Sequence, residues 1–377
     1  METIGRFIEA EKQSFFLLGP RGTGKSTFIR KEFPEALYVD LLLPDVFRNY
    51  TAYPERLREV VHAQRGKKVV VIDEVQKAPQ LLEVVHSLIE QKRGLQFILT
   101  GSSARRLRKA GVNLLAGRAL MKHMHPFMAA ELKGLFELGK ALQVGMIPLV
   151  LNSKDPKAAL QAYVDLYLRE EVQMEGLTRN IGNFSRFLET VSFSHGAILN
   201  VSNVARDCQI ERKIVEGYIG ILEDLLLAYR IPVFTRRAKR ATASHPKFYF
   251  FDAGVFSILR PSGPLDHPAE KSGAALEGLV SQHLRAWIDY HHPGCQLYYW
   301  RTSAGSEVDF VVYGKGMFLA IEVKNAATIH PQDLRALKSF GEDYPEAKRF
   351  LIYRGKEKLI RDNITVEPAS AFLLGLK

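Results

Sequence analysis

The sequence predicts an α/β protein whose amino-terminal part is built on a doubly wound parallel sheet, with three further segments behind it. Over residues 1–126, short apolar runs rich in β-branched residues alternate with stretches of helical periodicity, as in successive βαβ units. The chain has 377 residues, which is too long for one ordinary hydrophobic core. We therefore expect four segments, which comprise residues 1–126, 127–180, 181–245 and 246–377.

A Gly-rich loop joins the first predicted strand to the first predicted helix. Its sequence, GPRGTGKST at residues 19–27, fits the pattern G-x-x-x-x-G-K-[ST] of phosphate-binding loops in nucleotide hydrolases. In this motif, backbone N–H groups and the helix N-terminus bind phosphate, Lys25 reaches the β and γ oxygens, and Ser26 ligates Mg²⁺. The sequence therefore predicts an ATP and Mg²⁺ site, whose loop residues are Gly19, Gly22, Gly24, Lys25, Ser26 and Thr27.

Two later strands of this segment end in acidic and hydroxyl side chains. The run VVVID ends at Asp73 and is followed by Glu74, and we expect Asp73 to hold the water shell of Mg²⁺ and Glu74 to orient or deprotonate the attacking water. The run LQFILTGSS ends in Ser102 and Ser103. Either serine could contact the γ-phosphate or the attacking water, and either could instead cap a helix.

Residues 127–180 are mostly helical in pattern and are predicted to form a lid over the nucleotide. The apolar side chains that fall on one helical face are Leu160, Tyr163, Val164, Tyr167 and Leu168.

Residues 181–245 have the spacing of a helix-turn-helix followed by a basic hairpin, which is typical of a winged helix. Ser202 caps the second of its three predicted helices. The basic side chains of the hairpin, which we expect to grip DNA phosphates without reading sequence, are Arg236, Arg237, Lys239 and Arg240. Winged helices also mediate protein contacts, so a protein partner is the alternative here.

The last segment contains a predicted β-hairpin with charged residues in apolar strands. Residues 307–313 and 317–324 form its strands, and the two-residue period puts Glu322 and Lys324 on one face. Asp309 on the paired strand can approach Glu322, and two carboxylates beside a lysine can hold Mg²⁺ for phosphodiester attack. An ordinary hairpin with a surface ion pair is the alternative, although unpaired charge in apolar strands is costly. The run KFYFFD at residues 247–252 is predicted to be a buried strand.

The charge distribution indicates a polyanionic partner, most simply DNA. The formal net charge is +11, and two stretches, residues 101–130 and 230–260, together account for it. Only two cysteines are present, no apolar run is long enough for a membrane span, and the first residues lack the pattern of a secretory signal. We therefore expect a cytoplasmic protein that does not enter membranes.

These motifs in combination resemble AAA+-type ATPases related to the archaeal ATPases, a likeness carried by GPRGTGKST, VVVIDEVQ, LTGSSARRL and LAGRAL. The resemblance implies that Arg118 acts as an arginine finger on a neighbouring subunit's nucleotide, or else binds phosphate or sheet-edge carbonyls. It also implies a lid arginine, for which Arg169 and Arg179 are the candidates. The D…E-x-K arrangement is similar to the PD-(D/E)xK nuclease core, a restriction-endonuclease-like α/β fold in which Glu277 would be the helix-borne acid.

The sequence leaves three functions open. The first is an oligomeric ATPase, for which a hexameric ring is one form, coupled to a Mg²⁺-dependent nuclease that selects DNA by shape, for example Holliday junctions. The second is an ATP-gated regulator whose nuclease-like domain is inactive and only binds nucleic acid or protein. The third is a signalling ATPase whose carboxy-terminal domain is a regulated toxin.

Overall fold

The chain forms two compact units. The computed structural model describes residues 4–64, 66–102, 115–168, 181–236, 245–264 and 266–377. The amino-terminal unit comprises Ile8–His125 and Asp224–Leu226, and the carboxy-terminal unit comprises Met1–Phe7, Pro126–Glu223 and Leu227–Lys377. None of the helices in the described ranges has the length and hydropathy of a membrane span.

The amino-terminal unit is built on a sheet of five parallel strands, so the predicted parallel α/β fold is confirmed for this unit. The carboxyl ends of the strands are aligned, since Leu18 pairs with Gly101 and Asp40 with Asp73. The strands are β1 (Phe15–Leu18), β2 (Leu37–Asp40), β3 (Val69–Asp73), β4 (Gln96–Gly101) and β5 (Leu120–His123). They lie in the order β2-β3-β4-β1-β5.

Four helices in the described part of this unit lie between the strands, and the last of them packs through an apolar face. They are α1 (Lys25–Glu32), α2 (Pro44–Ala52), α3 (Arg56–Ala63) and α4 (Leu81–Glu90). Apolar side chains recur at three- and four-residue spacing along α4, so that one stripe of the helix is buried. The buried stripe consists of Leu81, Leu82, Val84, Val85 and Leu88.

The carboxy-terminal unit begins with short helices, as the pattern of residues 127–180 predicts for the part that is described. Residues 169–180 lie outside the described residues. The described helices are α5 (Ala129–Leu132), α6 (Leu138–Val144), α7 (Pro148–Leu151) and α8 (Pro156–Ala162), and a π-helical stretch follows at Tyr163–Leu168.

Three helices and a small sheet follow along the chain. The helices are α9 (Ile181–Ser192), α10 (Val201–Cys208) and α11 (Arg212–Asp224), and the strands are β6 (Ala197–Ile198), β7 (Ala228–Ile231) and β8 (Lys247–Phe250). The sheet is antiparallel with the order β6-β8-β7. Strand β8 therefore completes this small sheet, although the expected boundary at residue 245 assigns it to the last segment. Its aromatic side chains are at most 1% exposed, which confirms the prediction of a buried strand.

The rest of the unit surrounds a six-stranded mixed sheet. The helices are α12 (Ala253–Leu259), α13 (Pro268–His291), α14 (Arg335–Asp343) and α15 (Ala369–Gly375). The strands are β9 (Cys295–Arg301), β10 (Glu307–Gly314), β11 (Met317–Lys324), β12 (Lys348–Tyr353), β13 (Leu359–Arg361) and β14 (Ile364–Pro368), in the order β13-β14-β12-β11-β10-β9. The predicted hairpin is confirmed, because β10 and β11 pair antiparallel around the turn after Gly314.

Candidate functional site

The Gly-rich loop leads from the end of β1 into the first turn of α1. Gly24 has a φ of 93°, a left-handed conformation that favours glycine. A Cβ atom on Gly19 would lie 2.4 Å from the carbonyl oxygen of Met124, so only glycine fits there without a shift. Backbone and sequence thus agree on a tight turn that leads into the N-terminus of α1.

Lys25 folds its ammonium back over this loop. Its Nζ donates to the carbonyl oxygens of Gly19 at 2.7 Å and Pro20 at 3.2 Å, and the residue is only 5% exposed. The positive charge therefore lies against the loop that the motif predicts to bind phosphate.

Asp73 at the end of β3 accepts hydrogen bonds from three hydroxyl groups. Ser26 Oγ donates to Oδ2 at 2.8 Å, Tyr38 Oη donates to the same oxygen at 2.6 Å, and Thr100 Oγ1 donates to Oδ1. Burial, and next the hydrogen bond to Asp73, raise the pKa of Tyr38 well above its usual range, so this phenol keeps its proton. The two residues predicted to serve Mg²⁺, Ser26 and Asp73, are thus in direct contact.

The side-chain amide of one residue, Gln76, bridges Glu74 and Ser102. Glu74 has a φ of 60°, and its backbone N–H donates to Thr100 Oγ1 at 3.0 Å. The side-chain amide of Gln76 donates to Glu74 Oε2 and, at 3.1 Å, to Ser102 Oγ. Gln76 is 6% exposed, so the bridge is buried.

This arrangement fits a nucleotide and its magnesium ion. The hydroxyl of Ser26 and the carboxylate of Asp73 are hard oxygen donors of the kind that Mg²⁺ takes in nucleotide sites. The Gly-rich turn has no room for a Cβ at Gly19 and has a lysine beside it. Tyr38, Thr100 and Gln76 are part of the site, although no motif in the sequence indicates a role for them. Tyr38 could have been noticed as a polar residue near the end of a strand in a parallel sheet.

The remaining predicted residues of this unit are less central. Thr27 is exposed in the first turn of α1. The guanidinium of Arg118 donates to Glu90 Oε1, and its side chain is 39% exposed. Ser103, Arg169 and Arg179 lie outside the described residues.

The acids predicted in the last segment meet on one side of the six-stranded sheet. Asp309 Oδ2 accepts from the backbone N–H of Val323 at 2.8 Å, which fixes the two strands in register. Lys324 Nζ contacts Glu322 Oε1 at 2.6 Å. Glu277, on α13, is linked to the same cluster by one further residue, which the sequence predicts only as part of a buried strand.

That residue is Lys247, the first residue of β8. Its Nζ lies 3.1 Å from Glu277 Oε1, 2.6 Å from Glu307 Oε1 and 3.4 Å from Asp309 Oδ1, and its side chain is 2% exposed. Tyr249 Oη donates to Glu277 Oε1 at 2.6 Å. The signal that could have found Lys247 is its position in a run of buried aromatics, because a buried ammonium requires a carboxylate partner.

Burial strongly shifts the titration of this cluster. Burial raises the pKa of Glu277 to about 7, although the ammonium of Lys247 opposes the shift. Burial, and next the charge of Asp309, raise the pKa of Glu322 to about 8. Burial alone would lower the pKa of Lys247, but the surrounding acids outweigh it and raise the pKa well above its usual value.

The cluster does not fit a divalent ion as it is arranged. The ammonium of Lys247 contacts both Glu277 and Asp309. Two unit charges 4 Å apart repel by about 4 kcal/mol at an effective dielectric constant of 20, and a divalent ion beside an ammonium would meet roughly twice that. The predicted use of Asp309 and Glu322 as metal ligands therefore meets an electrostatic obstacle.

The predicted basic hairpin is described only at its start. The guanidinium of Arg236 lies 5.0 Å from the centre of the Tyr313 ring, and the residue is exposed. Arg237, Lys239 and Arg240 lie outside the described residues.

One family model covers the predicted nucleotide site, and two others cover most of the rest of the chain. Residues 11–133 match the family model described as an AAA domain. Residues 136–266 and 272–372 match two models described as domains of unknown function, DUF8612 and DUF4143. The amino-terminal part of this chain is thus similar to AAA domains.

Whole-chain relatives and a solved structure are also similar to this protein. Uncharacterized protein Mb2031c of Mycobacterium bovis and Uncharacterized protein Rv2008c of Mycobacterium tuberculosis are each 26% identical to it over 370 residues, covering 95% of this chain and 80% of theirs. AMPPCP-bound DnaA from Aquifex aeolicus is 13% identical, covers 57% of this chain and 82% of DnaA, and has a TM-score of 0.27. A superposition of that quality identifies no shared site.

Proposed function

We propose that this protein is an ATP-hydrolysing switch with Mg²⁺ as the metal of its nucleotide. The observation that carries the proposal is the contact between Ser26 Oγ and Asp73 Oδ2 at 2.8 Å. It lies beside the Gly-rich turn, where Lys25 donates to the carbonyl oxygen of Gly19. The bound magnesium ion would supply charge neutralisation of the phosphates. Hydrolysis also needs a group that activates water, and Glu74, next to Asp73, would be that group.

The chain's own residues would divide the work as follows. Lys25 would leave the loop carbonyls and bind the β and γ oxygens, while Ser26 and Asp73 hold the metal and its water shell. Glu74 would orient the attacking water, and Gln76 would hold Glu74 in line with Ser102. Gln76 is a positioning residue in this scheme, because it acts through two other side chains.

Arg118 would complete the site only in an oligomer. Its guanidinium contacts Glu90, and its side chain is 39% exposed, so it is accessible from outside the unit. In an oligomer this exposed arginine would act on the nucleotide of a neighbouring subunit.

DNA is the partner that we propose for the carboxy-terminal unit. Three helices in sequence and a three-stranded antiparallel sheet are the elements of a winged helix, and the basic stretch of residues 230–260 includes its hairpin. Localised positive charge favours phosphate contacts.

Of the functions that the sequence leaves open, the geometry favours the ATP-gated regulator with an inactive nuclease-like domain. The grouping of Glu277, Asp309, Glu322 and Lys324 is consistent with a nuclease-like fold. The ammonium of Lys247 opposes metal binding between Glu277 and Asp309, and with it the metal-dependent cleavage of DNA.

The test measures ATP hydrolysis by the full chain with and without duplex, fork, junction and single-stranded DNA, beside a cleavage gel with Mg²⁺. We expect hydrolysis that DNA stimulates, no cleavage, and loss of hydrolysis to background in Lys25→Ala. Lys31→Ala is the matched control, because Lys31 is exposed on the same helix. If Lys25→Ala hydrolysed ATP at the wild-type rate, the proposed ATPase site would be refuted. If none of the DNA molecules changed the rate of hydrolysis, DNA would not be the regulator of the switch. If the wild-type chain cleaved DNA and Asp309→Ala did not, the nuclease function would be supported instead.

A further inference from the structure

Lys247 joins three elements of the carboxy-terminal unit. It is the first residue of β8 in the small sheet, whereas Glu277 is on α13 and both Glu307 and Asp309 are on β10 of the six-stranded sheet. The ammonium has three N–H donors, and three carboxylate oxygens lie within 3.4 Å of it. Its hydrogen-bonding capacity is therefore matched by these acids.

The ammonium of Lys247 is shielded from water more than its partner carboxylates, whose side chains are 12–24% exposed. The side chain of Lys247 is 2% exposed, and its Nζ lies 5.6 Å from the centre of the Tyr299 ring. Tyr249, which donates to Glu277, is fully buried. Such a site gives an ammonium little exchange with water, so the contact persists as part of the folded core.

The chain's own cations contact every carboxyl group of the cluster. Besides Lys247, the guanidinium of Arg301 contacts Glu307 Oε2 at 2.9 Å, and Lys324 contacts Glu322. Three cations thus face four carboxyl groups, and each of the four has a cation of the chain within 3.4 Å.

We infer that Lys247 is a built-in counter-cation, whose ammonium occupies the place that a divalent metal takes in such carboxylate clusters. The cluster then links the two sheets of this unit without a metal ion. This inference goes beyond the ATP switch. It predicts that the wild-type cluster is closed to divalent ions and opens to them when the ammonium is removed.

The test is a Mn²⁺ titration of the full chain followed by electron paramagnetic resonance. All variants carry Asp73→Asn, so that the nucleotide site does not contribute, and ATP is omitted. In the Asp73→Asn parent, we expect no Mn²⁺ binding that is lost when Asp309 is also replaced. Lys247→Met, which keeps the length of the side chain but not its charge, should bind Mn²⁺ at least tenfold more tightly than the parent. Lys315→Met is the control, since Lys315 is exposed in the turn between β10 and β11.

Two results would overturn the inference. One is Mn²⁺ bound by the parent and lost in Asp309→Asn, because the site would then be open despite Lys247. The other is a folded Lys247→Met that gains no affinity. If that variant does not fold, Lys247→Met with Glu307→Gln removes one charge of each sign and is titrated instead. ATP hydrolysis plays no part, so failure here is distinct from failure of the proposed switch.

Discussion

Asp73 owes its orientation to hydroxyl groups from three different elements. Ser26 is on α1, Tyr38 on β2 and Thr100 on β4, and all three donate to its carboxylate. Hydrogen bonds to a charged group contribute about 1.5–3 kcal/mol each, so removal of one would loosen the carboxylate measurably. Tyr38 is the informative one, because it has no predicted contact with the nucleotide itself.

Tyr38→Phe should raise the Mg²⁺ concentration needed for half-maximal ATP hydrolysis by roughly tenfold, the lower end of the range for residues that orient metal ligands. The variant keeps the ring in place and removes only the hydroxyl that donates to Asp73. Hydrolysis rates across a Mg²⁺ titration at saturating ATP measure the shift. Tyr53→Phe is the control, since Tyr53 is 69% exposed. A Tyr38→Phe curve that superimposes on wild type would mean that the hydroxyl does not serve the metal.

The nucleotide site is more predictable from sequence than the carboxylate cluster, and the reason is distance along the chain. Residues 19–27 carry their chemistry in consecutive positions, so the motif identifies Lys25 and Ser26 directly. Lys247 is 30 residues from Glu277 and 62 from Asp309, and no local pattern links them. Only the folded sheets bring these side chains within hydrogen-bonding distance.

At the scale of elements, the alternation of β11 decides which charges are buried. Glu322 and Lys324 share a face, and Val323 between them donates its backbone N–H to Asp309 on β10. The two-residue period predicts this from sequence. What it does not predict is the membership of β8, which the expected boundary at residue 245 assigns to the last segment but which pairs with β6 and β7. Which strands pair depends on which apolar faces of the folded chain still need a packing partner, and the alternation within one strand does not determine this.

Glu322→Gln should change how stability depends on pH. The pKa of Glu322 rises from 4.5 to about 8 on folding, so the folded protein keeps a proton that the unfolded chain releases between these values. The stability from that proton is full below pH 4.5 and is lost as pH rises toward 8. Relative to wild type, the glutamine variant should therefore gain stability with pH across this window, by at most about 1.4 kcal/mol per pH unit.

Urea denaturation at several pH values between 5 and 8 would measure this effect. Trp287 and Trp300 are the two tryptophans of the chain, and both lie in the carboxy-terminal unit, so their fluorescence reports on that unit. Glu346→Gln is the control, because Glu346 is exposed. A constant difference between Glu322→Gln and wild type across the pH range would contradict the assigned titration.

At the scale of the whole molecule, one of the two basic stretches, residues 230–260, lies in the carboxy-terminal unit, for which DNA is the proposed partner. The net charge of +11 is accounted for by residues 101–130 and 230–260, and the rest of the chain is nearly neutral. In the proposed function, the amino-terminal domain would be the switch, and the basic stretch of the carboxy-terminal unit would attract a polyanion. A regulator of this kind needs no chemistry on the nucleic acid, only a change of affinity with nucleotide state.

The salt dependence of DNA binding tests this assignment of charge. Each phosphate contact that is lost reduces the slope of log K against log salt concentration by about 0.9 for duplex DNA. Replacing Arg236, Arg237, Lys239 and Arg240 together by glutamine should therefore weaken binding to labelled duplex DNA and reduce the slope by about 2–4. Fluorescence anisotropy at a series of salt concentrations gives both quantities.

A control with the same loss of charge separates local contact from general attraction. The same change in net charge away from the hairpin is made by glutamine at four exposed lysines in and between the short helices, Lys133, Lys140, Lys154 and Lys157. If binding depends on contacts at the hairpin, only the hairpin variant changes the slope, because counterion release counts the phosphates that are contacted. Equal slopes in the two variants would show that overall charge attracts DNA and that the hairpin does not bind it, and the winged-helix assignment would then lose its functional support.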